Sequence, residues 1–221
     1  MTMSSRSGPA YSVGDDQAPL TLRALPRRVL RAALSAGEPV DGFVLAGRIA
    51  VFLLVAALTI PVATANGWSG GLARFFIHAI NTPFHEAGHV LFGIFGSFMR
   101  VLGGSLNQVL VPLVCLTAFL WRRNGFAAAM MLWWAGDNLV EVAIYVGDAR
   151  EQELVLLGGV TGAEQPGYHD WNNILGHLQM LQWDRTLASV TRFWGVSFML
   201  VALAWGLYLL ADSRKHLKPL S

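Results

Sequence analysis

Residues 48 to 65, RIAVFLLVAALTIPVATA, carry a single charge, Arg48, at their start and nothing ionisable after it. Such a run can cross the hydrocarbon core of a bilayer, about 30 Å thick, and in lipid only a helix or a closed barrel satisfies its backbone. Further apolar runs follow at 75 to 98, 108 to 121, 125 to 147 and 193 to 211. The expected fold is therefore all-α: a polytopic membrane helix bundle of about five transmembrane helices, with one long loop at 148 to 192. The composition agrees, being 54% hydrophobic and 14% charged with a mean hydropathy of +0.46. In 221 residues these spans leave no room for a separate soluble catalytic domain.

The flanks are basic. Residues 1 to 47 read as a disordered tail followed by an amphipathic helix, with Leu22, Leu25, Val29 and Ala33 on one side and Arg23, Arg27, Arg28 and Arg31 on the other. Such a helix lies on a membrane surface. Residues 212 to 221 form a basic C-terminal tail with Arg214, Lys215 and Lys218. The formal charge of +2 is placed beside the spans instead of along one stripe, so membrane lipids are the expected partner and nucleic acid is not. Arginines ahead of the first span favour a cytoplasmic N-terminus. Met1 to Pro19 lack the apolar core of a secretory signal, and Cys115, the only cysteine, excludes an internal disulfide and a cysteine-built zinc site.

Within the spans, Pro61 predicts a kink and Pro83 a break, while the run at 108 to 121 is short enough to be re-entrant. Gly103-Gly104-Ser105 reads as the connection before it, and Trp171 to Arg192 as an interfacial helix within the loop.

The second run contains His85-Glu86-Ala87-Gly88-His89. Positions four apart share a helix face, so His85 and His89 can offer nitrogens to one metal ion, with Glu86 beside them as base. Zinc brings the pKa of a bound water to about 7, where a carboxylate can take its proton as the oxygen attacks a carbonyl. Ionisable groups in an apolar helix also need a compensating partner, and a bound Zn2+ supplies one. Gly88 permits close approach of another helix or of a peptide.

A catalytic zinc takes a third protein ligand. His169, in His169-Asp170-Trp171-Asn172-Asn173, is the first candidate, followed by Asp148 and Glu141, with Asp170 and Tyr145 as further alternative ligands or supports behind the ligands. Asp137, Glu141, Tyr145 and Asp148 recur at helical spacing and form a stripe that must face the bundle interior. Asp148 could instead pair with Arg150 at a membrane boundary, and Asp170 could cap the helix that follows it. His78 reads as a packing histidine or a support to the site, and His177 and His216 as surface residues.

Phe84-His85-Glu86-Ala87-Gly88-His89 in a membrane helix resembles the site-2-protease type of intramembrane zinc metallopeptidase. The resemblance implies zinc on His85 and His89, Glu86 activating water, and an aspartate from a later membrane helix in an Asn/Pro-rich segment ending Asp-Gly. Gly136-Asp137-Asn138 has that character in reversed order and without the proline, which leaves the third ligand open. The segments Val101 to Ser105, Tyr145 to Arg150 and His169-Asp170-Trp171 resemble a set of small bacterial membrane proteins, implying that the three belong to one site and that the chain is located in a bacterial inner (plasma) membrane. The expected function is zinc-dependent hydrolysis of a membrane or juxtamembrane protein substrate. The alternative is a non-catalytic metal-binding membrane protein acting as sensor, transporter or scaffold. Haem ligation is disfavoured, since two histidines four apart on one helix cannot reach opposite faces of a haem.

Overall fold

The structure, a computed structural model, describes residues 30, 33–35, 40–66, 71–215 and 217, with the backbone alone at 71–75. The expected amphipathic helix at 22–33 falls almost wholly outside these residues, as does His216. Among the described residues the chain is helical, with one isolated antiparallel bridge, Val155 to Thr161. The helices are α1 (Gly42–Ala63), α2 (Gly71–Gly93), α3 (Ser97–Trp121), α4 (Gly125–Gly147), α5 (Asp170–His177) and α6 (Asp184–Lys215), with a 3-10 turn at Leu181–Trp183 before α6. Three segments are long and apolar enough to cross a membrane: α1, α3, and the turn with α6.

α1 starts where Asp41 accepts a hydrogen bond from Val44 N at 2.8 Å, satisfying a donor that the helix ladder leaves open. Its inward residues Leu45, Thr59 and Val62 are buried, whereas Phe43 is 88% and Ile60 72% exposed. Apolar side chains exposed on this scale suit lipid, not water. The carbonyls of Ala63 and Ala65 beyond its last turn are met by Arg192 of α6 at 3.0 and 2.8 Å.

Pro83 does not break α2, which runs unbroken from Gly71 to Gly93. It ends short of residue 98 because Gly96, at φ 106°, turns the chain in a conformation that suits glycine and begins α3 at Ser97. The third apolar run is therefore not short: it belongs to α3, which has 25 residues and is long enough to cross a membrane, and Gly103-Gly104-Ser105 lies within it. Those glycines did not become a connection because α2 packs on them, Gly103 meeting the backbone of Gly88 and Gly104 the rings of His85 and His89. Asn124 caps α4 by accepting from Ala127 N at 3.1 Å.

α4 is the central helix, buried along most of its length between α3, α6 and α1. Phe126 and Met130 pack with Leu45, Leu209 and Leu210, while Trp133 and Val140 pack with Val62 and Met199. A third cluster, Val142, Val146 and Ala149 with Leu175, seats α5 on the end of α4. The expected helix from Trp171 to Arg192 is divided into α5, the 3-10 turn and the first turns of α6, which begins at Asp184 and not near 193. Asp184 is buried and receives Arg150 Nε at 2.7 Å, tying the long loop to the start of α6.

Candidate metal centre

His85 and His89 project from the same face of α2, as their spacing predicts, with ring centroids 4.8 Å apart. The carboxylate that meets them is Asp170, the first residue of α5. Its Oδ2 lies 3.1 Å from His85 Nε2 and 3.4 Å from His89 Nε2, and each of the three residues offers a ligand atom within 4.8 Å of the others. Two bonds of about 2.0–2.1 Å at a tetrahedral angle leave donor atoms roughly 3.3–3.4 Å apart, and the two imidazole–carboxylate distances lie close to that spacing.

The far nitrogens show which ring atoms face the centre. His89 Nδ1 lies 2.8 Å from the carbonyl oxygen of Arg100, which can only accept, so Nδ1 carries the hydrogen. His85 Nδ1 lies 3.1 Å from Gln108 Oε1, and the Gln108 amide is oriented by donating through Nε2 to Glu141 Oε2 at 2.7 Å. When neutral, each ring thus turns an Nε2 lone pair towards a carboxylate that also only accepts. Three facing acceptors call for a positive charge, either a cation or an extra proton on a ring. Burial works against the charged form of Asp170, yet a proton on either imidazole, bonded to the carboxylate, outweighs it and holds the carboxyl below the ordinary range.

The rest of α3 is shaped around these rings. A side-chain carbon on Gly104 would lie 2.6 Å from His85 Nε2 and 2.7 Å from His89 Nε2, so only glycine leaves the nitrogens where they are. Trp171 Nε1 donates to Ser105 Oγ at 3.1 Å and draws the first turn of α5, with Asp170, onto α3. Glu86, Tyr145, Thr82 and His78 line the same cavity of about 280 Å³, which the loop residues Val155, Leu156, Leu157 and Tyr168 border on the other side.

The expected third ligand, His169, does not join the group. It caps α5 by accepting from Asn172 N at 3.1 Å through Nδ1, and its Nε2 donates to Asp148 Oδ2 at 3.1 Å. Capping and convergence are thus exchanged between neighbours: His169 caps, and Asp170 faces the histidines. His169 is fully buried, and burial pushes its imidazole below the ordinary value against the pull of Asp148. Asp148 also accepts from the backbone of Glu153 and Leu154 at 3.1 and 3.0 Å, so it organises the loop, while Arg150 pairs with Asp184 instead.

Glu141 stands one step behind His85. It accepts from Asn81 at 2.7 Å and from Gln108, and pairs with His78 Nδ1; Asn81 also reaches Asp137 at 3.0 Å and receives Trp134 Nε1 at 2.8 Å. The acidic stripe of α4 does face inward, as expected, and joins α2 and α3 through amides. Gln108 and Gly104 were not singled out from the sequence. Gln108 carried a signal, since an amide opening an apolar run has to find partners in the bundle. Compared with known proteins, the chain matches no family model, no curated protein and no solved structure.

Proposed function

We propose that the chain is a membrane-embedded zinc-dependent peptidase, with zinc on His85, His89 and Asp170 and with Glu86 as its base. The observation that carries this reading is the convergence of two imidazole Nε2 atoms and a carboxylate oxygen, each ring held by an oxygen acceptor at Nδ1, in a cavity that Glu86 also lines. Backing the outer ring nitrogen with an acceptor is how metal-binding histidines are oriented and made more basic. A zinc ion there would activate water and polarise a carbonyl. Glu86 takes the proton of the attacking water and passes it to the leaving amine. His85 and His89 stay neutral at Nε2, Gln108 and the Arg100 carbonyl keep their tautomers, and Glu141 keeps the Gln108 amide from turning over.

In this reading α2 and α4 cross the membrane beside α1, α3 and α6, a five-span protein of a bacterial inner membrane, with their polar residues turned into the bundle. A cavity of about 280 Å³ has room for a short extended segment and not for a folded domain, which suits a membrane or juxtamembrane stretch of a protein substrate.

The test begins with zinc content. Wild type purified in detergent is expected to hold one zinc per chain and to cut fluorescein-labelled casein; Glu86→Gln should keep the zinc and lose at least about 1000-fold in rate. Stoichiometric zinc in both proteins with no cleavage by either would make the chain a non-catalytic metal-binding protein. Absence of zinc at micromolar supply would remove the metal reading itself.

A further inference from the structure

Most polar side chains around the cavity are satisfied within the protein. Thr82 donates to His78 O at 2.8 Å, Ser105 receives Trp171, and Gln108 and Glu141 bond to each other. Among the described residues, Glu86, Tyr145 and Tyr168 line the cavity with no hydrogen-bond partner for their side-chain oxygens. Glu86 is an acceptor and already has a role as base. The two phenols are donors, and they are held very differently.

Tyr168 sits on the loop and is 50% exposed. Tyr145 projects from α4 one turn beyond Glu141, with its ring stacked on His169 at 4.5 Å and 12° and set edge-on to His85 at 6.3 Å. His169 cannot turn, because Asn172 N occupies one nitrogen, Asp148 the other, and the ring is fully buried. A buried imidazole whose nitrogens are both spent on structure thus offers its face to one phenol, and that phenol borders the imidazole of His85. A donor fixed in place before reaction costs no reorganisation when charge develops beside it.

We propose that Tyr145 is the oxyanion donor of this site and that His169 is the residue that positions it; the proposal rests on the peptidase reading. As the water oxygen bonds to the carbonyl carbon, Glu86 takes a water proton and the π pair of the carbonyl moves onto its oxygen. Tyr145 donates its hydroxyl hydrogen bond to that oxygen. When the C–N bond breaks, the pair returns to the carbonyl and the amine leaves with the proton from Glu86. The resulting carboxylic acid ionises to water, and Tyr145 keeps its own proton throughout.

The experiment compares zinc-loaded wild type, Tyr145→Phe, Tyr168→Phe and His169→Ala in detergent. It measures kcat and KM on fluorescein-labelled casein and, independently of turnover, affinity for a phosphinic dipeptide, whose tetrahedral anion resembles the species being stabilised. Tyr145→Phe should keep one zinc per chain, lose about 100-fold in kcat with KM within about threefold, and bind the phosphinic dipeptide at least about 10-fold more weakly. Tyr168→Phe should keep phosphinic dipeptide affinity within about threefold of wild type, a difference below about 0.7 kcal/mol. His169→Ala should lose kcat at unchanged zinc, and adding it to Tyr145→Phe should cost nothing further. Phosphinic dipeptide affinity of Tyr145→Phe within about threefold of wild type, or the loss appearing in Tyr168→Phe instead, would overturn the proposal. If casein is left uncut by wild type, the peptidase reading falls while the phosphinic dipeptide comparison still decides Tyr145. No binding of that ligand by zinc-loaded wild type would overturn it as well.

Discussion

Among the described residues, two helix contacts bring glycine backbone against glycine backbone, and they do different work. Between α4 and α6, a carbon on Gly136 would lie 2.6 Å from the backbone oxygen of Gly195, and one on Gly195 would lie 2.7 Å from that of Gly136. Between α2 and α3, Gly103 meets the backbone of Gly88 in the same manner, but the next residue, Gly104, meets only the tips of His85 and His89. Backbone cannot yield without parting two helices, whereas an imidazole can swing aside. The first contact therefore sets stability, and the second sets both stability and the geometry of the candidate metal centre. Small residues that let helices approach are common in membrane bundles, where packing replaces the hydrophobic effect as the force between helices.

The sharpest way to break this division is Gly104→Ala. Its methyl group would occupy the space of both ligand nitrogens, so zinc affinity should fall more than about 100-fold while the chain melts close to the zinc-free wild type. Zinc retained at one per chain would show that the rings do not have to stay where they are. Next in size is Gln108→Ala, which removes the acceptor behind His85 Nδ1 and leaves Glu141 short of a donor. Zinc affinity should drop about 10- to 100-fold, read by competition with a chelator of known affinity. The smallest effect on the metal should come from Gly136→Ala, with zinc affinity within about threefold of wild type but a stability loss of about 1–3 kcal/mol in detergent unfolding. Were Gly136→Ala to release zinc as fully as Gly104→Ala, the two contacts would form one mechanical unit and the contrast between them would disappear.

Much of the helical outline was legible from local pattern. The apolar run at 125 to 147 became α4 with the same bounds, the run at 48 to 65 became the body of α1, which starts earlier, at Gly42, and the shared face of His85 and His89 follows from the helix repeat alone. The limits of α3 and α6 were not, for different reasons. Gly103-Gly104-Ser105 looked like a connection because glycine weakens an isolated helix, but here the lost side-chain contacts are replaced by the backbone of α2. The stretch up to Arg192 reads as an interfacial helix apart from the run at 193 to 211, yet α6 is continuous from Asp184, where Arg150 and Glu151 from the loop pair with Asp184 and Arg185.

The site divides along the same line. His85, Glu86 and His89 are a local constellation, readable because one turn of helix brings them together whatever else the chain does. The third partner lies 85 residues from His85 in sequence, and adjacent candidates, His169 and Asp170, competed for it. Only the docking of α5 decided between them: Trp171 anchored on Ser105 turns Asp170 towards α2, and the cap at Asn172 turns His169 towards Asp148 and Tyr145. Consecutive residues at a helix start point in different directions, so which of two neighbours enters a site is set by what the helix packs against. Helical character and the pairing of His85 with His89 could be read locally, because both depend on neighbours within one turn; the limits of α3 and α6, the carboxylate, the tautomers and the stacked phenol came only with the folded bundle, because each depends on contacts between segments distant in the chain.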